Sequence, residues 1–456
     1  LLLSVLAGCA TPPTTTPPLA AYVVLGEQGA AVARVLTEAA ACPALTVDGQ
    51  ALAMQLRAAP GTMAQRPTSS AAPADAKPST FPLLTCEAVL PAGARSASVA
   101  GHALPVPRAA VQTIVVIGDT GCRLKKSDQQ YQACNDPEAT PFATIAASAA
   151  RLHPDLVIHV GDYHYRESPC PEGNVGCAGS SWGYGWDTWR EDFFRPAAPL
   201  LAAAPWVVVR GNHETCVRAG QGWWRFLDPR PLQPGRDCNA AANDLQGDYS
   251  DPYAVPIGGD SQLLVLDTAA TSWRGLKPGQ PGWDKYRDNY RQLDQLAQQA
   301  KWNLGLNHQP ILGFGADVDK KGQRYLKLGD AGLQQSFGSL NPLLLPDSVQ
   351  AMLSGHVHLW QQVSFSSPHP SQFVAGFSGT AEDITPLPDE VAAIQPAPGA
   401  VLANFSSWVG GFGFMLLERG SAPGEWQAMV YDRHGSEMNR CRLSGRSSQC
   451  EKARLP

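Results

Sequence analysis

The sequence predicts an α/β core preceded by a small stretch of β structure, and three observations carry that prediction. From Ile114 onward, short apolar runs that read as buried strands alternate with stretches of helical periodicity. Several of these runs break directly into Asp, Asn or His, which are costly to bury unless something pairs with them. Ahead of them, residues 20–108 show a hairpin pattern instead. Tyr22-Val-Val-Leu25, a Gly-Glu-Gln-Gly turn and Ala31–Thr37 read as two paired strands, although the Ala-rich stretch Ala30–Ala41 has helical propensity.

The runs occur in a fixed order. Ile114–Ile117 leads to Gly118-Asp119, and Leu156–Val160 leads to Gly161-Asp162-Tyr-His-Tyr165. Val207–Val209 precedes Gly211-Asn212-His213, Trp302–Leu306 delivers Asn307-His308, and Met352-Leu353 delivers Gly355-His356-Val-His358. Strands that end at one sheet edge bring their following loops together, where open α/β sheets bind ligands. Five polar tips therefore imply one site. Between them, Phe142, Ile145, Ala146, Ala149 and Leu152 fall at helical spacing, as do Tyr290, Leu293, Leu296 and Ala297 within Tyr286–Ala300. Leu263–Leu266, Phe412–Glu418 and Trp426–Tyr431 supply further strands. Arg166–Pro205 is rich in Gly and Trp; it either rims the pocket or packs its tryptophans on the core.

Length and composition bound the rest. The 456 residues are enough for two or three domains, and 44% apolar with 16% charged residues fits a globular chain. A formal charge of −5 argues against a nucleic-acid partner, which would call for a basic face. Leu1–Cys9 looks like the tail of a signal sequence, and Leu6-Ala-Gly-Cys9 resembles a bacterial lipobox, with Thr11–Pro18 as an extended tether. The expected organisation is a signal remnant and tether over 1–19, a small β domain over 20–108 and a catalytic domain over 109–456. An exported protein, membrane-anchored through lipidated Cys9 at the bacterial outer membrane, is expected.

Eleven cysteines less Cys9 leave ten, an even number suited to an oxidising compartment. Pairing Cys42 with Cys86, Cys122 with Cys134, Cys170 with Cys177, Cys216 with Cys238 and Cys441 with Cys450 is the simplest scheme, with connectivity left open. No CxxC pair suggests zinc and no P-loop is present; the Gly-x-Ser-x-Gly string Gly179-Ser-Ser-Trp-Gly183 follows no apolar run, so it does not read as the strand-to-helix elbow of a serine hydrolase.

Taken together, Asp119 with Gly121, Asp162 with Tyr165, Asn212-His213, His308 and His356/His358 resemble the ordered blocks of the calcineurin-like metallophosphoesterases. Gly121 stands where the general family has a His ligand, and Asp162-Tyr-His-Tyr165 matches the Asp-x-x-Tyr block of the purple acid phosphatases. That subgroup pairs Asp-x-Gly with Asp-x-x-Tyr, and the likeness spans roughly residues 111–380. The resemblance implies a four-layer α/β/β/α sandwich and two metal ions. A ferric ion would be held by Asp119, Tyr165, His358 and bridging Asp162. A divalent ion (Zn²⁺, Mn²⁺ or Fe²⁺) would be held by Asp162, Asn212, His308 and His356.

It further implies hydrolysis of a small phosphate monoester by metal-bound hydroxide, with His213 protonating the leaving alkoxide or positioning the ester. His164 is expected to face the substrate, and Glu214 to anchor a loop or a ligand ring. Arg123 and Arg210 are candidate phosphate contacts or structural cations. The alternatives are a phosphodiesterase acting on nucleotides or lipid headgroups, and a non-catalytic metal-binding lipoprotein.

Overall fold

In the strand Thr113–Ile117, Ile114 and Val116 join one hydrophobic layer while Val115 and Ile117 join another. Both faces are buried, so the period-2 geometry of a strand needs a partner on each side. The computed structural model, which describes residues 18–66 and 75–456, shows those partners. One face meets a second sheet, through Leu263, Leu304, Leu306, Ala351 and Leu353. The other meets helices Phe142–Ala150 and Arg195–Ala203 through Ile145, Ala149 and Leu200. The second sheet is covered in turn by helices Pro281–Ala297 and Ala331–Gly338, with Tyr290, Leu293 and Phe337 packed on Leu264 and Met352. Helix, sheet, sheet and helix follow one another, the expected sandwich. Each fully buried Val, Leu or Ile contributes about 1.5–3 kcal/mol, so these three layers dominate the fold's stability.

Among the described residues the larger sheet has 11 strands and the smaller 7. At the centre of the larger sheet, Thr113–Ile117, Leu156–His159 and Trp206–Val208 run parallel. In the smaller one, Ser261–Val265, Trp302–Leu306 and Val349–Ser354 do the same. The helix expected from Tyr286 begins at Pro281, because proline fixes a helical φ and lacks only an N–H that the first turn leaves unpaired.

The expected hairpin is present, with Ala20–Leu25 antiparallel to Ala31–Thr37. Its first strand also lies parallel to Trp206–Val208, placing Val24 opposite Trp206. Leu84–Val89 and Gln55–Ala58 continue the same sheet outward. The boundary expected near residue 108 thus crosses a continuous sheet, and among the described residues before it the four-stranded sheet of 44–53 and 97–104 and the two-stranded pair of 61–63 and 79–81 lie apart from it. Pairing here covers what would otherwise be an open edge at Trp206–Val208. Arg34 and Arg57 reinforce it: both pair with Glu87 at 2.8 Å and reach the carbonyls of Phe226 and Trp224.

All five sequential disulfides form as the simplest scheme has them. Trp186, Trp189, Trp223 and Trp224 are buried in the helix-covered layer, so these tryptophans of the 166–205 and 223–224 stretches pack on the core. Among the described residues, no helix is long and apolar enough to cross a membrane. Cys9, with its expected lipid, lies outside the described residues.

Candidate metal centre

The polar tips do converge, but from two sheets instead of one edge. Asp119, Asp162, Tyr165 and Asn212 follow strands of the larger sheet, whereas His308, His356 and His358 follow strands of the smaller. The chain turns sharply to present them. Asp119 (φ 56°), Asp162 (φ 57°) and His356 (φ 70°) all occupy the left-handed region, which costs a non-glycine residue about 1–3 kcal/mol and clusters at functional sites. At Gly161 (φ 104°) a side chain would collide with the His308 ring, so glycine is required there for both conformation and room.

Tyr165 Oη lies 2.7 Å from Asp119 Oδ1, 3.0 Å from Asp162 Oδ2 and 3.1 Å from His358 Nε2. On the other side, His308 Nε2 is 3.0 Å from the same Asp162 Oδ2 and 3.1 Å from Asn212 Oδ1, which is itself 2.9 Å from His356 Nδ1. All these residues are buried or nearly so. His308 donates from Nδ1 to the Val160 carbonyl at 2.8 Å, and His358 from Nδ1 to the Ala381 carbonyl at 2.8 Å. When neutral, each ring therefore turns an Nε2 lone pair toward the carboxylate, amide or phenol oxygens. Histidines that ligate metals are fixed in this way, by an N–H to a carbonyl on the far side.

The separations also suit an ion. Donor atoms about 2.1 Å from a cation and at right angles lie about 3.0 Å apart. The local field favours positive charge: burial lowers the pKa of His308, but the Asp162 carboxylate outweighs it and the pKa is pushed up to about 9. Ligand atoms of Asp162, His308 and His356 lie within 4.8 Å of one another, a geometry able to hold a metal ion. A second group, Cys216, Cys238 and Asp248, has the right element types, but its two sulfurs are joined in a disulfide and offer no thiolate.

Residues 112–359 match the model of the calcineurin-like phosphoesterase family, more than half of the chain. The chain belongs to that family. No curated protein matches it. Among solved structures, a purple acid phosphatase, PPD1, from seeds of yellow lupin (Lupinus luteus) is 13% identical with a TM-score of 0.53, covering 95% of this chain and 74% of that one. A structure of PhoD is 15% identical with a TM-score of 0.56, covering 97% and 94%. At these identities the likeness is one of fold.

In this phosphoesterase the other expected residues separate clearly. His213 lies over the Tyr165 ring, centroids 4.0 Å apart, with Nε2 3.8 Å from Asp162 Oδ2. Its Nδ1 is 2.7 Å from Glu167 Oε1 and 2.9 Å from the His164 carbonyl, so it donates there and leaves Nε2 as an acceptor facing the cluster. Burial and then Arg218 lower its pKa to about 4, making the resting ring neutral.

His164, expected at the substrate, is fully buried against Tyr184 and Trp189 and meets the site only through its carbonyl. The segment that carries it is a loop in which Tyr163 and His164 both turn to the aromatic layer, while Asp162 and Tyr165 on either side of them face the cluster. Glu214 anchors the loops, accepting from the backbone N–H groups of Gly211, Asp162 and Tyr163. Arg210 is a structural cation bound to the Glu214 and Gly247 carbonyls, whereas Arg123 reaches the edge of the cluster at His358.

Sequence reasoning missed Glu167, Arg218, Asp192 and Asp383. Glu167 pairs with both His213 and Arg218, and Asp383 accepts from the His358 N–H at 2.9 Å. Of the four, Glu167 and Arg218 carried a signal, each lying five residues after a motif residue, Asp162 and His213. The others approach only through folding.

Proposed function

We propose that the protein is an exported phosphatase of the purple acid phosphatase type that hydrolyses phosphate monoesters at a dinuclear centre. Asp119, Tyr165, His358 and Asp162 would hold Fe³⁺, and Asp162, Asn212, His308 and His356 a divalent Zn²⁺, Mn²⁺ or Fe²⁺. The observation that carries this reading is the position of Asp162 Oδ2, at 3.0 Å from both Tyr165 Oη and His308 Nε2, where one oxygen serves two ligand sets. Phenolate and carboxylate oxygens favour a hard trivalent ion, and imidazole with amide oxygen a softer divalent one. When bound, such a pair of ions polarises a phosphate and lowers the pKa of a water.

The remaining work falls to His213. Glu167 holds its ring in one orientation, with Nε2 toward the centre, where it accepts a hydrogen bond from the ester or its nucleophile. A proton taken up at Nε2 is the one the leaving alkoxide needs. Export is supported by five disulfides, which persist in oxidising compartments. Anchoring through a lipid on Cys9 belongs to the same proposal. It is checked by detergent-phase partition of wild-type and Cys9→Ala proteins carried on the same export signal; equal partition would end it.

The central test is metal analysis with visible absorption on purified protein, followed by kinetics on p-nitrophenyl phosphate and its bis ester. The reading expects iron, a phenolate charge-transfer band and a preference for the monoester. An iron-free, colourless and fully active enzyme would refute the ferric assignment, and a strong diester preference would replace the substrate class.

A further inference from the structure

We propose that Asp192 is a positioning residue for the Tyr165 half of the centre, and that residue 121 is glycine so that Asp192 can reach it. The proposal rests on Tyr165 as a metal ligand, the reading given above. Asp192 is buried on a π-helical turn, Arg190–Phe194, between the helices Trp186–Trp189 and Arg195–Ala203. Such turns are rare and recur at functional sites. Here the turn buries three successive residues, Asp192, Phe193 and Phe194. The two phenylalanines enter the aromatic layer, while the carboxylate goes to the loops of the site.

What it does there is specific. The loops that follow Thr113–Ile117 and Leu156–His159 continue their strands' pairing, with Asp119 N–H donating to Gly161 O and Thr120 N–H to Asp162 O. They pair again where Leu124 N–H donates to Tyr165 O. Between these points the backbones part, and Asp192 fills the gap. Its Oδ2 accepts from the N–H groups of Tyr165 (2.8 Å) and Arg166 (3.1 Å). Its Oδ1 accepts from the Cys122 N–H (3.1 Å) and from Arg166 Nε (2.5 Å). Four donors match the roughly four lone-pair directions of a carboxylate, which is how a buried charge is accommodated. One side chain thus joins the loop bearing Asp119 to the backbone of Tyr165.

Gly121 is the clearance for this bridge. Its backbone is not in the left-handed region, so conformation does not demand glycine. Space does: a Cβ at 121 would stand 2.7 Å from Asp192 Oδ2 and 2.9 Å from the Tyr165 backbone nitrogen. The glycine of Asp119-x-Gly121 and the tyrosine of Asp162-x-x-Tyr165 are therefore coupled through a residue that neither motif contains.

The test compares Asp192→Asn and Gly121→Ala with the control Asp187→Asn, a neighbour half exposed on the preceding helix. In metal-free protein, amide exchange at Cys122 and Tyr165 should quicken at least tenfold in the first two variants and stay unchanged in the control. After titration with Fe³⁺ and Zn²⁺, affinity for the ion on the Tyr165 side should fall roughly 10–100-fold and any phenolate band should shift. The His308 side should keep its affinity. Unchanged exchange, or equal loss at both ions together with a lowered Tm, would overturn the proposal. If wild-type protein bound no ion beside Tyr165, the functional reading would fail, and the exchange data would still decide whether Asp192 joins the two loops.

Discussion

On one side of Asp162 the converging atoms are Asp119 Oδ1, Tyr165 Oη and His358 Nε2; on the other they are Asn212 Oδ1, His308 Nε2 and His356 Nδ1. The first set can carry two negative charges of its own, the second none. Their supports differ as well. Tyr165 and His358 are held at their backbone nitrogens by carboxylates, Asp192 and Asp383. His308 is held by the Val160 carbonyl and the Thr268 hydroxyl. An oxygen-rich, anionic half beside a neutral, imidazole-rich half is an arrangement that distinguishes between ions, since hard ligands select higher charge. The asymmetry can be broken from either side.

The largest effect is expected from Asp162→Asn, which removes the charge shared by both halves. In the proposed centre each ion would supply several kcal/mol of transition-state stabilisation. Losing both should therefore lower kcat/KM on the order of 10⁴-fold, at about 1.4 kcal/mol per tenfold. Metal analysis should show both ions depleted; one full equivalent retained would mean that Asp162 does not bridge.

Next in size is His213→Ala, which leaves both halves intact. General acid–base groups contribute on the order of 10²–10⁴-fold, and turnover should fall in that range with metal content unchanged. If the metals left in proportion to activity, the ring would be a structural support. Tyr165→Phe should act on one half alone. The ion on that side and any visible band should disappear, one equivalent should remain at His308, and turnover should drop by at least the roughly tenfold to hundredfold typical of lost supporting contacts. Loss of both ions would show that the halves are not separable.

Much of this was legible in the sequence because it is local. Asp-x-Gly, Asp-x-x-Tyr, Asn-His and His-x-His each sit at the end of an apolar run, and the strand period and helix spacing follow from residues that touch their neighbours in the chain. Four of the disulfides close loops of 7 to 22 residues, so proximity in sequence was a sound guide to them, and Cys42–Cys86, 44 residues apart, followed as the remaining pair. The N-terminal strands were harder. A hairpin pattern says that Ala20–Leu25 and Ala31–Thr37 pair, but not that the first of them lies on Trp206–Val208. His164 misled because position between two site residues does not fix direction in a loop, and its ring packs instead on Tyr184 and Trp189. Asp192 and Asp383 reach the centre from positions 27 and 25 residues from Tyr165 and His358, and no local pattern marks them.

The smallest effect sharpens the charge difference between the halves, and it concerns the two arginines that sequence could not separate. Arg210 spends its guanidinium on the carbonyls of Glu214 and Gly247 and on Asp248. Arg123 lies over the Tyr165 ring at 5.7 Å and places Nη1 3.3 Å from His358 Nδ1. That nitrogen already donates to the Ala381 carbonyl, so it cannot accept from Arg123. The remaining contact, Nη2 to Asp128, is long at 3.4 Å, and Nε makes no hydrogen bond among the described residues. A cation with donors to spare beside the anionic half is suited to a phosphate oxygen. A hydrogen bond to a charged group is worth about 1.5–3 kcal/mol when buried, and the low end applies at this half-open edge. Arg123→Ala should accordingly raise KM for p-nitrophenyl phosphate about tenfold while leaving kcat within a small factor. Arg210→Ala should instead lower Tm, because Asp248 and Asp267 lose their buried partner. An Arg123 variant that lost metal and kept its KM would show that the guanidinium serves His358, and the anionic half would then meet its substrate without a cation from the chain.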